Sequence, residues 1–338
     1  HPWGASLSAI TAGSQNMDHS HSDRVSCPIC TAPSAYDFSG RNVLVKADMT
    51  RYDYYKCAAC GVFFLHPMPD AAALDALYPD SYVEPDDLER AKAINPLKLA
   101  RLRLHHGYAH LSVNPLAALV ARLTAPFRRA DRAIDFVPGG RLLDVGCGNG
   151  RYLRTMRSLG WQAEGVELNR QSAEFCRSSG LSVHHGDLAS ARFPSASFDV
   201  ITARHVIEHI PTPHQFMAEL ARLLKPGGCL VVETPNFSSL GWALFGTKWY
   251  ATGIPYHLML FSSGNLALLA RRHGLDPLNQ DLETSQKLFL NSLDILFERK
   301  GRPSRKIKWR RFLARLLVQV ARRQGRGDIL HSTFRRPL

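Results

Sequence analysis

The sequence predicts an α/β fold of the doubly wound type, preceded by a small cysteine-rich β module. Three observations carry this. Arg141 to Gly150, RLLDVGCGNG, runs an apolar strand through an acid into Gly146-x-Gly148-x-Gly150. A second strand, Gln162 to Val166, ends in Glu167, 23 residues after Asp144, where doubly wound folds place a carboxylate on ribose hydroxyls. Finally, Cys27-Pro28-Ile29-Cys30 and Cys57-Ala58-Ala59-Cys60 form two C-x-x-C pairs separated by 26 residues.

Taken in chain order, His1 to Asn16 lack the basic start and apolar core of a signal peptide. Met17 reads as a native start behind an expression remnant, so 1–16 stay outside the fold argument. Residues 17–70 are expected to form a zinc ribbon. Cys27, Cys30, Cys57 and Cys60 can supply four thiolates tetrahedrally to one Zn2+, and with no open position that zinc is structural. The segment between the pairs, YDFSGRNVLVKADMTRYDYYK, alternates in short runs and predicts strands. Residues 71–135 carry helical apolar spacing interrupted at Pro96, Pro115 and Pro126, a helical connector able to cover a cofactor.

From 136 onward the glycine turn dominates. The dinucleotide fingerprint needs G-x-G-x-x-G; here the third glycine comes one residue early and Arg151 takes its place, which argues against NAD or FAD. Side-chain-free glycines let a ligand lie against the turn, and Asp144 suits a cationic ligand group rather than a phosphate. A ribose without a pyrophosphate is implied. Phe198-Asp199-Val200-Ile201 reads as a fourth strand, and Leu224-Lys225-Pro226-Gly227-Gly228 as a turn before a fifth, Cys229 to Glu233.

From Val137 to Leu275 these motifs, in this order, resemble the class I S-adenosylmethionine-dependent methyltransferases. The resemblance implies a Rossmann-like seven-stranded sheet over 136–338. Asp144, Gly146 and Gly148 would line the methionine end of the cofactor, Glu167 would hold the ribose, and Asp187 would face the adenine amino group. The sheet would close with two antiparallel strands near Leu275 to Thr284 and Asp328 to Phe334, leaving 285–326 as a helical insertion. Cys60-Gly61-Val62-Phe63-Phe64, Pro67-Met68-Pro69 and Tyr78-Pro79-Asp80-Ser81-Tyr82 resemble the connector of bacterial methyltransferases that carry a zinc ribbon, and the resemblance implies action on sugars, glycan precursors or other secondary metabolites.

Methyl transfer needs an aligned acceptor and, for a hydroxyl, a base. After strand four the chain reads Ala203-Arg204-His205-Val206-Ile207-Glu208-His209, where His205 is the first candidate base and His209 and Glu208 follow; the same residues can instead cap or orient the next helix. H-x-x-E-H also matches an inverted zinc-protease motif, but it stands at a strand end beside a cofactor loop. His257 is a second candidate. It precedes a helix over Ser262 to Arg272 and sits in a segment resembling the H-x-x-x-F-S of small-molecule methyltransferases. The aromatic run Trp242 to Tyr250 can form an acceptor wall or plain core.

The net charge of +13 is concentrated: Glu298 to Leu338 holds fourteen Lys and Arg against two acids. Within it, Trp309 to Arg323 places Trp309, Phe312, Leu313, Leu316, Leu317 and Val320 on one helical stripe with Arg311, Arg315 and Arg322 opposite. Such a helix over 302–323 can lie on an anionic membrane surface, grip nucleic acid, or cap the domain. No apolar run is long enough to span a membrane, and seven cysteines suit a reducing bacterial cytoplasm. The expected activity is methyl transfer to a sugar, glycan precursor or other small metabolite, at the inner membrane face if the helix docks there. The alternative is an rRNA or tRNA methyltransferase holding RNA through the ribbon and basic segment, and a non-enzymatic scaffold is a third reading.

Overall fold

The computed structural model describes residues 25–42, 49–70, 73, 94–125, 132–297 and 308–338. The expected remnant at 1–16, most of the connector between 71 and 93, the break at Pro126, the Tyr78 to Tyr82 motif and 298–307 of the insertion lie outside these residues.

Four short strands open the described chain: β1 (Val25–Ser26), β2 (Pro33–Gly40), β3 (Tyr52–Cys57) and β4 (Phe63–Leu65), each antiparallel to the next. The two cysteine pairs form the turns of this ribbon, and they are built alike. Thr31 N–H donates to Cys27 O at 3.0 Å and Gly61 N–H to Cys57 O at 3.1 Å. Both residues take left-handed backbone, φ 62° and 71°, which brings each second cysteine back beside the first.

Helices α1 (Pro96–His105) and α2 (Pro115–Leu123) follow. Pro96 and Pro115 start these helices rather than interrupt them. At the first helical position a missing N–H costs nothing, and Asn95 and Asn114 cap the next turn by accepting from Leu97 N and Leu116 N at 2.8 and 2.9 Å.

The large domain alternates β5 (Arg141–Val145), α3 (Arg151–Ser158), β6 (Gln162–Glu167), α4 (Arg170–Ser178), β7 (Ser182–His185), β8 (Phe198–Arg204), α5 (Pro213–Leu223) and β9 (Leu224–Pro235). It continues through α6 (Leu240–Phe245), β10 (Met259–Leu260), α7 (Ser263–Arg271), β11 (Asp276–Glu283), α8 (Gln286–Leu296), α9 (Lys308–Arg323) and β12 (Ile329–Arg335). Seven strands form one sheet in the order β11-β12-β9-β8-β5-β6-β7, with β12 antiparallel to both its neighbours. Strands β5 to β9 are parallel, and the order reverses between β5 and β8, so a ligand crevice opens at their carboxyl ends. The expected turn at Leu224 to Gly228 is absorbed into β9. Pairing jumps from Phe198↔Leu224 to Val200↔Cys229, a bulge that Gly227 accommodates at φ 76°.

The ribbon does not stand apart. Strand β10 pairs antiparallel with β4, Met259 opposite Phe64 and Leu260 opposite Phe63. Ile29, Tyr54, Phe63 and Phe64 belong to the same buried cluster as Leu143, Phe198, Leu230 and Phe261. Much of the aromatic run over 242–250 serves this junction as core. Trp242 packs on Phe38, Phe63 and Phe237 with ring centroids 5.3, 5.7 and 5.2 Å away, and Trp249 is fully buried.

Between β11 and β12 the described residues form α8 and α9, and α9 buries only part of the face its apolar spacing suggests: Leu317 and Val320 pack against the buried cluster, but the aromatic end of the stripe does not. Arg310, Ala314, Val318 and Ala321 are buried, whereas Trp309 is 51% exposed, Phe312 71% and Leu316 51%. The small alanines let α9 lie close to α8. Arg310 pairs with Asp294 of α8, with the Phe297 ring 5.0 Å from its guanidinium. A buried charge with a matched partner outweighed the pull of the aromatic stripe.

Candidate active site

At the end of β5 the chain turns through Gly146, Gly148 and Gly150, all with positive φ, and Gly146 N–H and Cys147 N–H both donate to Val166 O at 2.8 and 3.1 Å. The glycines answer different needs. A Cβ on Gly146 would stand 2.6 Å from Val206, while one on Gly148 would meet nothing within 4 Å. Gly146 is therefore fixed by packing, and Gly148 leaves the open face against which a ligand can lie.

Glu167, at the end of β6, accepts from Gly148 N–H at 2.7 Å through one oxygen and from Asn169 N–H at 2.8 Å through the other. Asp187 sits exposed at the rim, accepting from Ser190 N–H at 2.7 Å. Asp144 is buried beneath the loop, where Thr202 Oγ1 donates to it at 2.6 Å and Arg204 approaches at 3.4 Å. Burial raises its pKa, partly countered by the Arg204 charge. Arg204 in turn lies over the Tyr152 ring, 3.7 Å from its centroid. Neither Arg204 nor Tyr152 stood out in the sequence. The available signal was a cation at the carboxyl end of a central parallel strand.

The next residue, His205, holds φ 54°, unusual for a side chain with a Cβ, and this swings its half-exposed ring out of the strand line. Its Nδ1 lies 3.3 Å from Glu208 Oε1. Partial burial works against the charged ring, but the hydrogen bond and charge of Glu208 outweigh it and raise the His205 pKa. Glu208 is fully buried. Burial alone would push its carboxyl up, yet the bond from His205 and the surrounding histidines bring it down to about 2. Desolvation of the half-buried His257, with His209 beside it, lowers its pKa to about 3, so it is neutral at pH 7.

All four acid–base candidates thus converge, although His257 is 48 residues beyond His209 in the chain. The rings of His209 and His257 are 4.8 Å apart in an edge arrangement. The ribbon helps to place them, Tyr54 O–H donating to His257 O at 2.7 Å, and within the large domain Leu258 N–H donates to Glu208 O at 2.7 Å.

In the ribbon, the four sulfurs of Cys27, Cys30, Cys57 and Cys60 lie within 4.8 Å of one another, with Cys27–Cys60 at 3.7 Å and Cys30–Cys57 at 3.3 Å. Thiolates about 2.3 Å from a tetrahedral zinc stand about 3.8 Å apart, so the donor set fits that ion. Backbone N–H groups of Ile29, Ala59 and Cys60 point at the sulfurs at 3.3 to 3.4 Å. The hydrogen bond from Cys60 leads the causes that lower the Cys27 thiol to about 5.

A family model described as a methyltransferase domain matches residues 108–280, just over half of the chain. The chain belongs to the methyltransferase domain family. Among curated proteins, this methyltransferase is 35% identical over 129 residues to the ubiquinone biosynthesis O-methyltransferase of Burkholderia thailandensis, spanning 35% of this chain and 55% of that one. It is 28% identical over 207 residues to the protein of the same name from Methylococcus capsulatus, 57% of this chain and 75% of that one. The chain thus spans about half the length of the first of these relatives. Solved structures with a similar backbone include a SAM-dependent methyltransferase from Archaeoglobus fulgidus, at 18% identity and TM-score 0.43, covering 65% of this chain and 93% of that one. Another is geranyl diphosphate C-methyltransferase from Streptomyces coelicolor, at 16% identity and TM-score 0.42, covering 59% and 73%.

Proposed function

We propose that this chain is an S-adenosylmethionine-dependent O-methyltransferase of the bacterial cytoplasm, acting on a hydroxyl of a small acceptor, with a sugar or glycan precursor the preferred class. The observation that carries the reading is the His205–Glu208 pair at the end of β8, beside Arg204 and Val206, which border the glycine turn. The residues suit the cofactor: Gly148 offers an open backbone face, Glu167 two oxygens for a ribose, and Asp187 a rim carboxylate for the adenine. Asp144 and Arg204 form the floor at the methionine end. When bound, the cofactor supplies an electrophilic methyl group.

Glu208 as a carboxylate can only accept, so His205 Nδ1 carries the proton and Nε2 the lone pair. His205 then takes the proton of the acceptor hydroxyl through Nε2, and Glu208 fixes the tautomer and steadies the charged ring. The names of the curated relatives support oxygen as the atom methylated. Cys27, Cys30, Cys57 and Cys60 hold a structural Zn2+ that keeps the ribbon, and through Tyr54 the His257 loop, in place.

The test is calorimetric titration with S-adenosylmethionine and S-adenosylhomocysteine, then a screen of nucleotide sugars, glycan lipids and phenolic quinone precursors. Binding of both cofactor forms is expected, with transfer abolished in His205→Ala at unchanged cofactor affinity. A chain that binds neither form loses this reading, and wild-type transfer in His205→Ala removes His205 as the base.

The exposed Trp309, Phe312 and Leu316, flanked by Arg311 and Arg315, favour a second role for α9 as a dock on an anionic membrane surface. Vesicles rich in phosphatidylglycerol should sediment the wild type and release Phe312→Ser. Equal sedimentation of the two ends that role.

A further inference from the structure

Glu208, His209 and His257 each bring one ligand atom within 4.8 Å of the other two. Three features of their surroundings go beyond proximity. The Glu208 side chain is 1% exposed, and while Oε1 meets His205, its buried Oε2 has no hydrogen-bond partner. An ionised oxygen left this way is costly unless something positive fills the space it faces.

Both imidazoles are also oriented from behind. His209 Nδ1 bonds to Tyr256 O at 2.8 Å and His257 Nδ1 to Ala251 O at 3.1 Å. A carbonyl only accepts, so each Nδ1 carries a proton, and in the neutral ring Nε2 carries the lone pair. Metal-binding histidines are held in this manner, the second ring nitrogen donating to a carbonyl or carboxylate. Room has been made for the ring as well. At Gly253, φ 61°, a Cβ would lie 2.4 Å from His257 Nδ1, so a side chain there would displace the imidazole.

We propose that Glu208, His209 and His257 form a binding site for one divalent transition-metal ion of the zinc, manganese or iron class. Two imidazoles and a carboxylate are the donor set these ions share. Such an ion sits about 2.0 to 2.2 Å from each donor, within reach of three atoms this close together. Three protein ligands leave coordination positions open. The site lies beside His205 at the acceptor edge of the sheet, and only its use, holding an acceptor oxygen there, rests on the methyl-transfer reading. It is separate from the four-cysteine cluster in donor chemistry, which makes the two separable by spectroscopy.

The experiment is titration of the full-length metal-free chain with Co2+, followed by absorption spectroscopy, with S-adenosylhomocysteine binding measured on the same sample. Two equivalents are expected in the wild type: one with intense sulfur-to-cobalt charge-transfer bands, and one adding only weak visible bands of nitrogen and oxygen ligation. His257→Ala and Glu208→Gln should each lose the second equivalent and keep the first, which also reports that the ribbon is folded. A wild type that takes up only the thiolate-bound equivalent overturns the site without recourse to any variant. So does a second equivalent that persists in His257→Ala. Two equivalents without cofactor binding would leave the site standing and remove the proposed function instead.

Discussion

The two halves of the central crevice are assembled in different ways. On the glycine-turn side, the hydrogen bonds of the turn and rim join near neighbours in sequence, Gly148 to Glu167, Asp187 to Ser190 and Gly146 to Val166, while the floor draws on strand β8 through Thr202 and Arg204. On the acceptor side, the partners are far apart: Tyr54 reaches His257, His214 Nε2 bonds to Ile29 O at 2.9 Å, and Arg272 donates to the same carbonyl at 2.6 Å. Ile29 belongs to the first cysteine turn, so the ribbon is bolted to α5 and α7 as well as to β10. One half is mostly a local motif; the other is completed only once distant segments have met.

The contrast is broken most severely at the ribbon. Cys57→Ser should abolish metal retention there, a loss on the order of 10 kcal/mol of apparent binding energy for a structural zinc site. The acceptor side should open while cofactor affinity stays within a few-fold of wild type. Metal analysis with calorimetry on the same sample checks this, and equal damage to cofactor binding would show that the halves are not independent.

Next comes the insertion. Arg310→Ala strands Asp294 and empties a fully buried position, so a loss of about 3 kcal/mol is expected from the cost of breaking buried pairs. Phe312→Ala should cost under about 0.5 kcal/mol because the ring is 71% exposed. Denaturant unfolding of the pair decides which face of α9 carries stability; the reverse order would restore the aromatic stripe as the packed one.

On the local side, Glu167→Ala should weaken cofactor binding by about 1.5 to 3 kcal/mol, the worth of hydrogen bonds to a charged group. The glycines sharpen this further. Alanine is strained by the positive φ at both positions, but Gly146→Ala also drives a Cβ against Val206 and should lower stability further, whereas Gly148→Ala meets open space and should add mainly a loss of cofactor affinity. Similar melting points for the two would remove the distinction drawn between them.

The smallest effect is on pH dependence. Glu208 raises the His205 pKa, so the neutral, base-competent ring appears only as pH rises through that elevated value. Glu208→Gln removes the cause, and the activity midpoint should move to lower pH. A midpoint that stays in place or moves upward would show that Glu208 does not tune this histidine.

What the sequence made legible follows the same division. Asp144, Gly148 and Glu167 could be placed because a strand, a turn and a second strand fix their positions within 23 residues. The convergence of His257 on Glu208 could be proposed only as two separate candidates, since nothing local encodes a pairing across β10 and the ribbon. The α9 face was legible only in part, at Leu317 and Val320, for a related reason. Hydrophobic periodicity ranks Trp309 and Phe312 above Arg310 and Ala314, but close helix approach favours alanine, and Asp294, sixteen residues upstream of Arg310, makes the arginine burial possible. Arg204 was passed over because its meaning depends on Asp144 and Tyr152, which reach it only through the sheet register and the α3 packing.

The two-residue ladder between β4 and β10 carries a consequence for how the molecule comes into being. Met259 and Leu260 pair with residues nearly two hundred positions earlier, and so short a strand has no standing of its own. Closing a loop of that length comes late, after the local βαβ units have formed. With the four cysteines holding zinc as proposed, a newly made chain starved of that ion would pass through a stage at which the glycine-turn half is formed and the proposed acceptor half is not. Metal supply would then set the yield of working molecules without changing the affinity of any of them for the methyl donor.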